Sequence, residues 1–327
     1  MAETTSADFM LNYTVSGYMG SFENTTSECF TLSYQSRVLL GVCMGVSFCG
    51  LVDNAIVMRF LFFHTKKNPF TIYTLNLAVA DFSLLLLFSL LMLLILTLTI
   101  CSLFNSLFFS YVTLHYIIGF LCHFFHLSSL GLLTAISVER CVSVLFPIWY
   151  RCRRPKHLSG IVSGLLWAFS GSFVFLMYLS FSFSEEHLEA LGAVATAICV
   201  MFSSIMLISN LSLFIKLRCG FQRRHPGKLY IAILISVIFF FAFAMPFSVE
   251  VFLNLANSQE LFPKDPSLLL AMLNSSTNPV IYFLVGCCQQ RRSLCSVTAA
   301  LRRVFEEKET SEEGSHTTED KTAETMV

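Results

Sequence analysis

The chain has 327 residues, of which 55% are hydrophobic and 13% charged, and its 21 basic side chains balance 21 acidic ones. Soluble domains carry about 25% charged residues. With 34 Phe and a mean hydropathy of +0.69, this composition excludes an ordinary soluble protein and gives no basic face for nucleic acid; it reads as a membrane protein.

Residues 1–36 are polar and carry no basic residue. They show no basic start followed by a short apolar run and a small-residue cleavage site, so no removable signal peptide is expected and the first span directs insertion. Asn12-Tyr13-Thr14 and Asn24-Thr25-Thr26 are glycosylation acceptors. Next come the apolar runs. A bilayer-spanning helix needs roughly 20 such residues, and runs of that kind cover 37–63, 70–98, 111–146, 158–182, 190–215, 229–253 and 267–286. Between Phe82 and Val138 there is no Asp, Glu, Lys or Arg, too long a stretch for one span, and the turn dividing it is expected at Asn105-Ser106. Seven spans in an all-α bundle follow, forming one membrane domain over 37–287.

Charge orients them. Lys66-Lys67 follow span one; Arg151, Arg153, Arg154 and Lys156 follow span three; Lys216, Arg218, Arg223, Arg224 and Lys228 follow span five; Arg291 and Arg292 follow span seven. The positive-inside rule puts these connections and the carboxyl terminus in the cytoplasm, and residues 1–36 outside. Twelve cysteines suggest no disulfide framework, because most fall within spans or on the inner side. Cys122, His123 and His126 lie close together in span three, but a metal site wants a further ligand, and polar helix packing accounts for them better. No nucleophile elbow, HExxH, glycine-rich phosphate loop or carboxylate pair appears, so no catalytic residue and no enzyme is expected.

Several polar groups sit inside the spans. Glu139-Arg140 falls near the inner end of span three, where an arginine costs less than at mid-span, and an adjacent carboxylate that can be exchanged suits a switch. Asp81 lies deep in span two, with Asn54 of span one within expected reach. Pro246 and Pro279 each loosen a span, because proline cannot donate its backbone hydrogen bond and leaves a carbonyl to be satisfied otherwise. Beyond span seven, Leu294, Val297, Leu301 and Val304 recur at helical spacing, so 288–305 is expected to form an amphipathic helix on the membrane surface, in contact with lipid. Cys287, Cys288 and Cys295 are palmitoylation candidates there. Residues 306–327 are rich in Glu, Ser and Thr, hence disordered and phosphorylatable. The closing Glu324-Thr325-Met326-Val327 fits a PDZ-type groove, with Thr325 and Val327 as the read positions.

Asn54, Leu77-Ala78-Val79-Ala80-Asp81, Glu139-Arg140-Cys141, Trp167, Pro246 and Asn278-Pro279-Val280-Ile281-Tyr282 together resemble the rhodopsin-like G-protein-coupled receptors. Lys67-Asn68-Pro69-Phe70-Thr71-Ile72-Tyr73, Phe146-Pro147-Ile148-Trp149-Tyr150-Arg151-Cys152, Lys228-Leu229-Tyr230 and Asn274-Ser275-Ser276 look like the Mas-related branch, over about residues 37–305. The resemblance implies a plasma-membrane receptor that activates heterotrimeric G proteins and meets arrestin and receptor kinases at its tail. It implies that Glu139 holds Arg140 at rest, that Arg140 is released as span six swings outward about Pro246, and that Tyr282 turns inward beside Pro279 to support that state. It implies no cofactor, and a sodium site made by Asp81, Ser129, Asn274 and Asn278, with Asn54 in the same polar hub.

Departures from the pattern are informative. His115 stands where the usual outer disulfide needs Cys, Ala244 stands where the common Trp precedes Pro246, and no acid occurs at Pro226-Gly227-Lys228 to restrain Arg140. Cys122 replaces the amine-binding Asp, and span seven has no Lys for retinal. Glu185, Glu186 and Glu189 of the second outer loop, with Glu250 near the outer end of span six, make an acidic mouth that steers cations. A small basic peptide is the ligand class this favours, although the acid that Mas-related receptors use in span four matches Met177 here. The competing expectations are a constitutively active or partner-regulating receptor without a dedicated ligand, and a transporter. The second would need two similar halves, and no internal repeat is present.

Overall fold

The computed structural model describes residues 34–65, 68–98, 101–183, 185–219, 228–249, 265–287 and 296–305, and every regular element among them is helical. In chain order α1 is Tyr34–Phe63, α2 Pro69–Leu98, α3 Cys101–Leu145, α4 Pro147–Cys152, α5 Leu158–Phe183, α6 Glu185–Cys219, α7 Lys228–Phe239, α8 Asp265–Cys287 and α9 Val297–Phe305. Helix α7 continues through a π-helical turn, Phe240–Ala244, into helical residues 245–249. Seven of the described helices are long and apolar enough to cross a bilayer: α1, α2, α3, α5, α6, extended α7 and α8, here spans one to seven. This is the expected all-α bundle with its expected number of spans.

Span three is the centre. It is 78% buried along its most apolar stretch, against 28% for spans one, four and five. It packs on spans two, four and five, while span seven closes the ring against one and six. The outer surface carries large apolar side chains such as Phe48, Phe175, Ile208 and Ile238, each more than half exposed. In water such a belt would drive aggregation; in lipid it needs no partner.

Local sequence explains where the elements start and bend. Asn68 caps span two: its side-chain oxygen accepts from the Thr71 N–H at 2.8 Å, and Thr71 Oγ1 accepts from the Asn68 N–H at 3.0 Å. Pro69 follows at the first helical position, where its missing N–H is harmless. In span six Pro246 cannot donate to Ala242, and the helix widens just before it, with the Met245 N–H reaching back to the Phe240 carbonyl. Such π turns accommodate a lost hydrogen bond and recur at functional sites.

Two expectations are corrected. Asn105-Ser106 is not a turn but part of α3, which begins at Cys101; residues 99–100 lie outside the described residues. No Pro or Gly occurs from Cys101 to Ile118 to stop the helix, and Asn and Ser oppose it only weakly. Glu185, Glu186 and Glu189 do not lie in a loop but belong to α6, which begins at Glu185. Of the expected helix over 288–305, Val297–Phe305 is helical as α9, and residues 288–295 lie outside the described residues. Its apolar residues Ala300, Leu301, Val304 and Phe305 are buried against the bundle.

Candidate functional site

Two polar clusters stand out among the spans. In the middle of the bundle Asp81 is fully buried; its Oδ1 accepts from Ser129 Oγ and its Oδ2 from Asn278 Nδ2, both at 2.9 Å. The Ser275 side chain is a further hydrogen-bonding neighbour of Asp81. One carboxylate thus ties spans two, three and seven. Asn54 does not bond Asp81, contrary to the expected reach. Its Nδ2 donates to the Gly50 carbonyl at 2.9 Å and to the Ser275 carbonyl at 3.0 Å. Ser275 lies four residues before Pro279, so this is the very carbonyl that the proline leaves without its helical donor. Span one therefore repairs the break in span seven. It can approach so closely because residue 50 is Gly: a Cβ there would overlap Ser276 Oγ and press on Leu85. Asn274 is buried nearby, but its described bond is a different one, its carbonyl accepting from Thr277 Oγ1.

A small hard cation wants several oxygen ligands. The site has a buried carboxylate, the Ser129 hydroxyl and the Asn278 amide, and Asn54 Oδ1 is a buried acceptor without a protein partner. These residues fit such an ion. Among the described residues no group of three His, Cys, Asp or Glu is arranged to hold a metal, and Cys122, His123 and His126 are buried in span three.

The second cluster lies at the end of the bundle carrying α4 and α9, called here the basic end. Glu139 and Arg140 are not paired with each other there, which corrects the expected lock. Neighbouring residues on a helix do not face one another. Glu139 Oε1 is 2.7 Å from Arg154 Nε and accepts from Tyr150 Oη at 2.7 Å. Arg154 Nη2 also donates to Ser159 Oγ at the start of span four. Pro147 starts the short helix that carries Tyr150 back to Glu139. Burial and the adjoining carboxylate push the Tyr150 phenol above its ordinary range, so it remains a donor. Arg140 instead lays its guanidinium over the Phe70 ring, 4.3 Å from its centroid, and its Nε has no hydrogen-bond partner. Such a cation–π contact is weaker and less directional than a bidentate carboxylate pair. Tyr282 is buried with its ring against Phe305, centroids 5.5 Å apart.

Between these clusters and the opposite end, span six is tied at its kink. His126 Nε2 lies 2.7 Å from Ser248 Oγ, and Ser248 donates to the Ala244 carbonyl at 2.8 Å. Since the Ser248 proton is spent on that carbonyl, Nε2 is the donor. His126 also packs edge-on against Phe247. Trp167 Nε1 donates to Asn76 Oδ1 at 3.0 Å, joining spans four and two.

The family model of the 7 transmembrane receptor (rhodopsin family) matches residues 53–282, a stretch that holds Asp81, Ser129 and Asn278 as well as Glu139, Arg140 and Arg154. The chain is 39% identical to the rat protein "Proto-oncogene Mas" over 279 residues, 81% of this chain and 83% of that one. It is 37% identical to the human protein of the same name over 84% of this chain and 85% of that one, and 39% identical to rat "Mas-related G-protein coupled receptor member H" over 82% and 84%. The chain belongs to the rhodopsin family of seven-transmembrane receptors, in its Mas-related branch. It is a multi-pass receptor of the plasma membrane, not an enzyme.

Within this Mas-related receptor, sequence reasoning missed Arg154, Tyr150, Phe70 and Phe305, and the His126–Ser248 tie. Arg154 was read only for its sign, and nothing in its spacing from Glu139 marked it as a partner. Other expected site residues lie outside the described residues: Asn12, Asn24, Glu250, Cys288, Cys295, Thr325 and Val327. Cys287 is the last residue of span seven.

Proposed function

We propose that this receptor activates a heterotrimeric G protein at its basic end, which faces the cytoplasm, in response to a small basic peptide received at the opposite end. The observation that carries the proposal is Arg140. Its guanidinium forms no ion pair with a carboxylate among the described residues and is parked on an aromatic ring at the end of the bundle that carries α4 and α9. An arginine held this loosely exchanges its partner at little cost. Coupling is then a population shift: whatever binds the open form better than the closed form moves span six outward about Pro246, and Arg140 leaves Phe70 for the transducer. The relative named member H carries G-protein coupling in its name, which supports the same reading.

The peptide reading rests on Glu185, Glu186 and Glu189 at the head of α6 together with Glu250. Replacing all four with Gln and titrating a basic peptide agonist found by screening tests it. Loss of potency and of its salt dependence is the expected result; unchanged potency and salt dependence rejects it. The cluster around Asp81 fits a sodium ion, which would favour the closed packing. Salt-dependent stability in wild-type receptor, absent in Asp81→Asn, is the check.

A further inference from the structure

We propose that the outward face of span one around Asp53 binds the transmembrane helix of a single-span partner protein that carries a lysine or arginine at mid-membrane. Asp53 stands ten residues before the end of α1 at Phe63, about 15 Å along the helix. That depth is near the middle of a hydrocarbon core about 30 Å thick. Asn54, the next residue, faces inward and bonds the Gly50 and Ser275 carbonyls. Asp53 faces another way; it is half-buried and makes no hydrogen bond or ion pair among the described residues. Spans two and seven, which pack on span one, contain no Lys or Arg. Arg59 lies six residues on, a spacing that turns it to another side of the helix. An aspartate is too short to reach the headgroups from that depth. Ionisable groups inside a membrane are normally paired, and none of the described residues pairs this one.

The face around it is shaped for a helix. Gly41, Gly45 and Cys49 precede Asp53 at intervals of four residues, and all three are exposed. A row at that spacing forms one ridge of a helix surface. A Cβ added at Gly41 or Gly45 would meet nothing within 4 Å. Gly50, on the inner face, shows what such a glycine does when its neighbour is present: a Cβ there would overlap Ser276 of span seven and press on Leu85 of span two. Small residues let two helices approach closely in lipid, and polar groups then join them. The carboxylate selects the occupant. A second copy of the receptor apposed through the same row would bring Asp53 against Asp53, and like charges repel strongly where the dielectric is low. An apolar helix or a lipid tail leaves the carboxylate unpaired. A basic side chain at matching depth, itself costly alone in lipid, satisfies both charges at once.

The test uses full-length receptor in phosphatidylcholine vesicles, with a fluorescent probe helix of alternating leucine and alanine that carries one lysine at its centre. Energy transfer from labelled receptor to probe, followed as lipid is added, reports association. The lysine probe should bind about 10-fold more tightly than the same helix with leucine or aspartate at that position. Asp53→Asn should remove the preference, and Asp53→Lys should transfer it to the aspartate probe. Gly45→Leu should weaken binding of the lysine probe while the melting temperature of the receptor stays unchanged. Equal binding of the three probes, or a lysine preference that survives Asp53→Asn, would overturn the proposal. So would energy transfer between receptors that persists at full strength with the lysine probe in excess and is lost in Gly45→Leu, because a second copy would then hold the face.

Discussion

Around Asp81, hydrogen bonds run directly from span to span: Ser129 and Asn278 meet the carboxylate, and Asn54 meets the carbonyl that Pro279 exposes. At the basic end the same kinds of group are held indirectly. Glu139 is taken by a connection rather than a span, Arg140 rests on a ring, and that ring is covered by the tail. The first arrangement is costly to undo, because each bond broken leaves a buried donor or acceptor unpaired. The second can be rearranged, since Arg140 rests on an aromatic face and is in no ion pair among the described residues. The contrast separates a fixed hinge from an exchangeable switch.

Breaking the hinge should have the largest effect. Asp81→Ala strands the Ser129 and Asn278 donors, and at about 1–3 kcal/mol for each unpaired buried group the purified receptor should melt many degrees lower. An unchanged melting temperature would mean that the hub is not the fixed element. Removing Arg154 acts on the other region and should barely move melting. Arg154→Ala leaves the Glu139 carboxylate uncompensated and so strengthens its through-space attraction for the Arg140 charge, although the two side chains do not face one another, and ligand-independent exchange should fall by about 5-fold; a rise would show that the Arg154 pair itself holds the receptor closed. Tyr150→Phe removes one hydrogen bond from the same carboxylate, leaves Arg154 in place, and should lower exchange by less than half of that. An effect as large as that of Arg154→Ala would mean that the phenol, not the ion pair, positions Glu139.

Much of this was legible in the sequence where composition alone decides. The long apolar runs gave the seven spans, and an intramembrane carboxylate declared itself because nothing else in span two is charged at neutral pH. Pro279 announced a carbonyl needing a donor; that the donor would be Asn54 required knowing how closely Gly50 lets spans one and seven approach. The partner of Glu139 was hidden for a different reason. Glu139 and Arg140 are adjacent in sequence, which suggests a pair, yet helical geometry turns them apart, and Arg154 comes back only because Pro147 starts a short helix after span three. The turn at Asn105-Ser106 failed because two weak breakers do not end a helix that nothing else opposes. Leu301 and Val304 read as one face of a lipid-seeking helix, yet both are buried against the bundle, and periodicity cannot distinguish a face that meets lipid from one that meets protein.

The central claim is that Arg140, released from Phe70, carries coupling. The direct measurement is nucleotide exchange on purified G protein by membranes containing wild-type or Arg140→Ala receptor at matched surface density. The prediction is exchange at the level of receptor-free membranes for Arg140→Ala, with melting of the Asp81 region unchanged. Wild-type exchange by that variant would contradict the account.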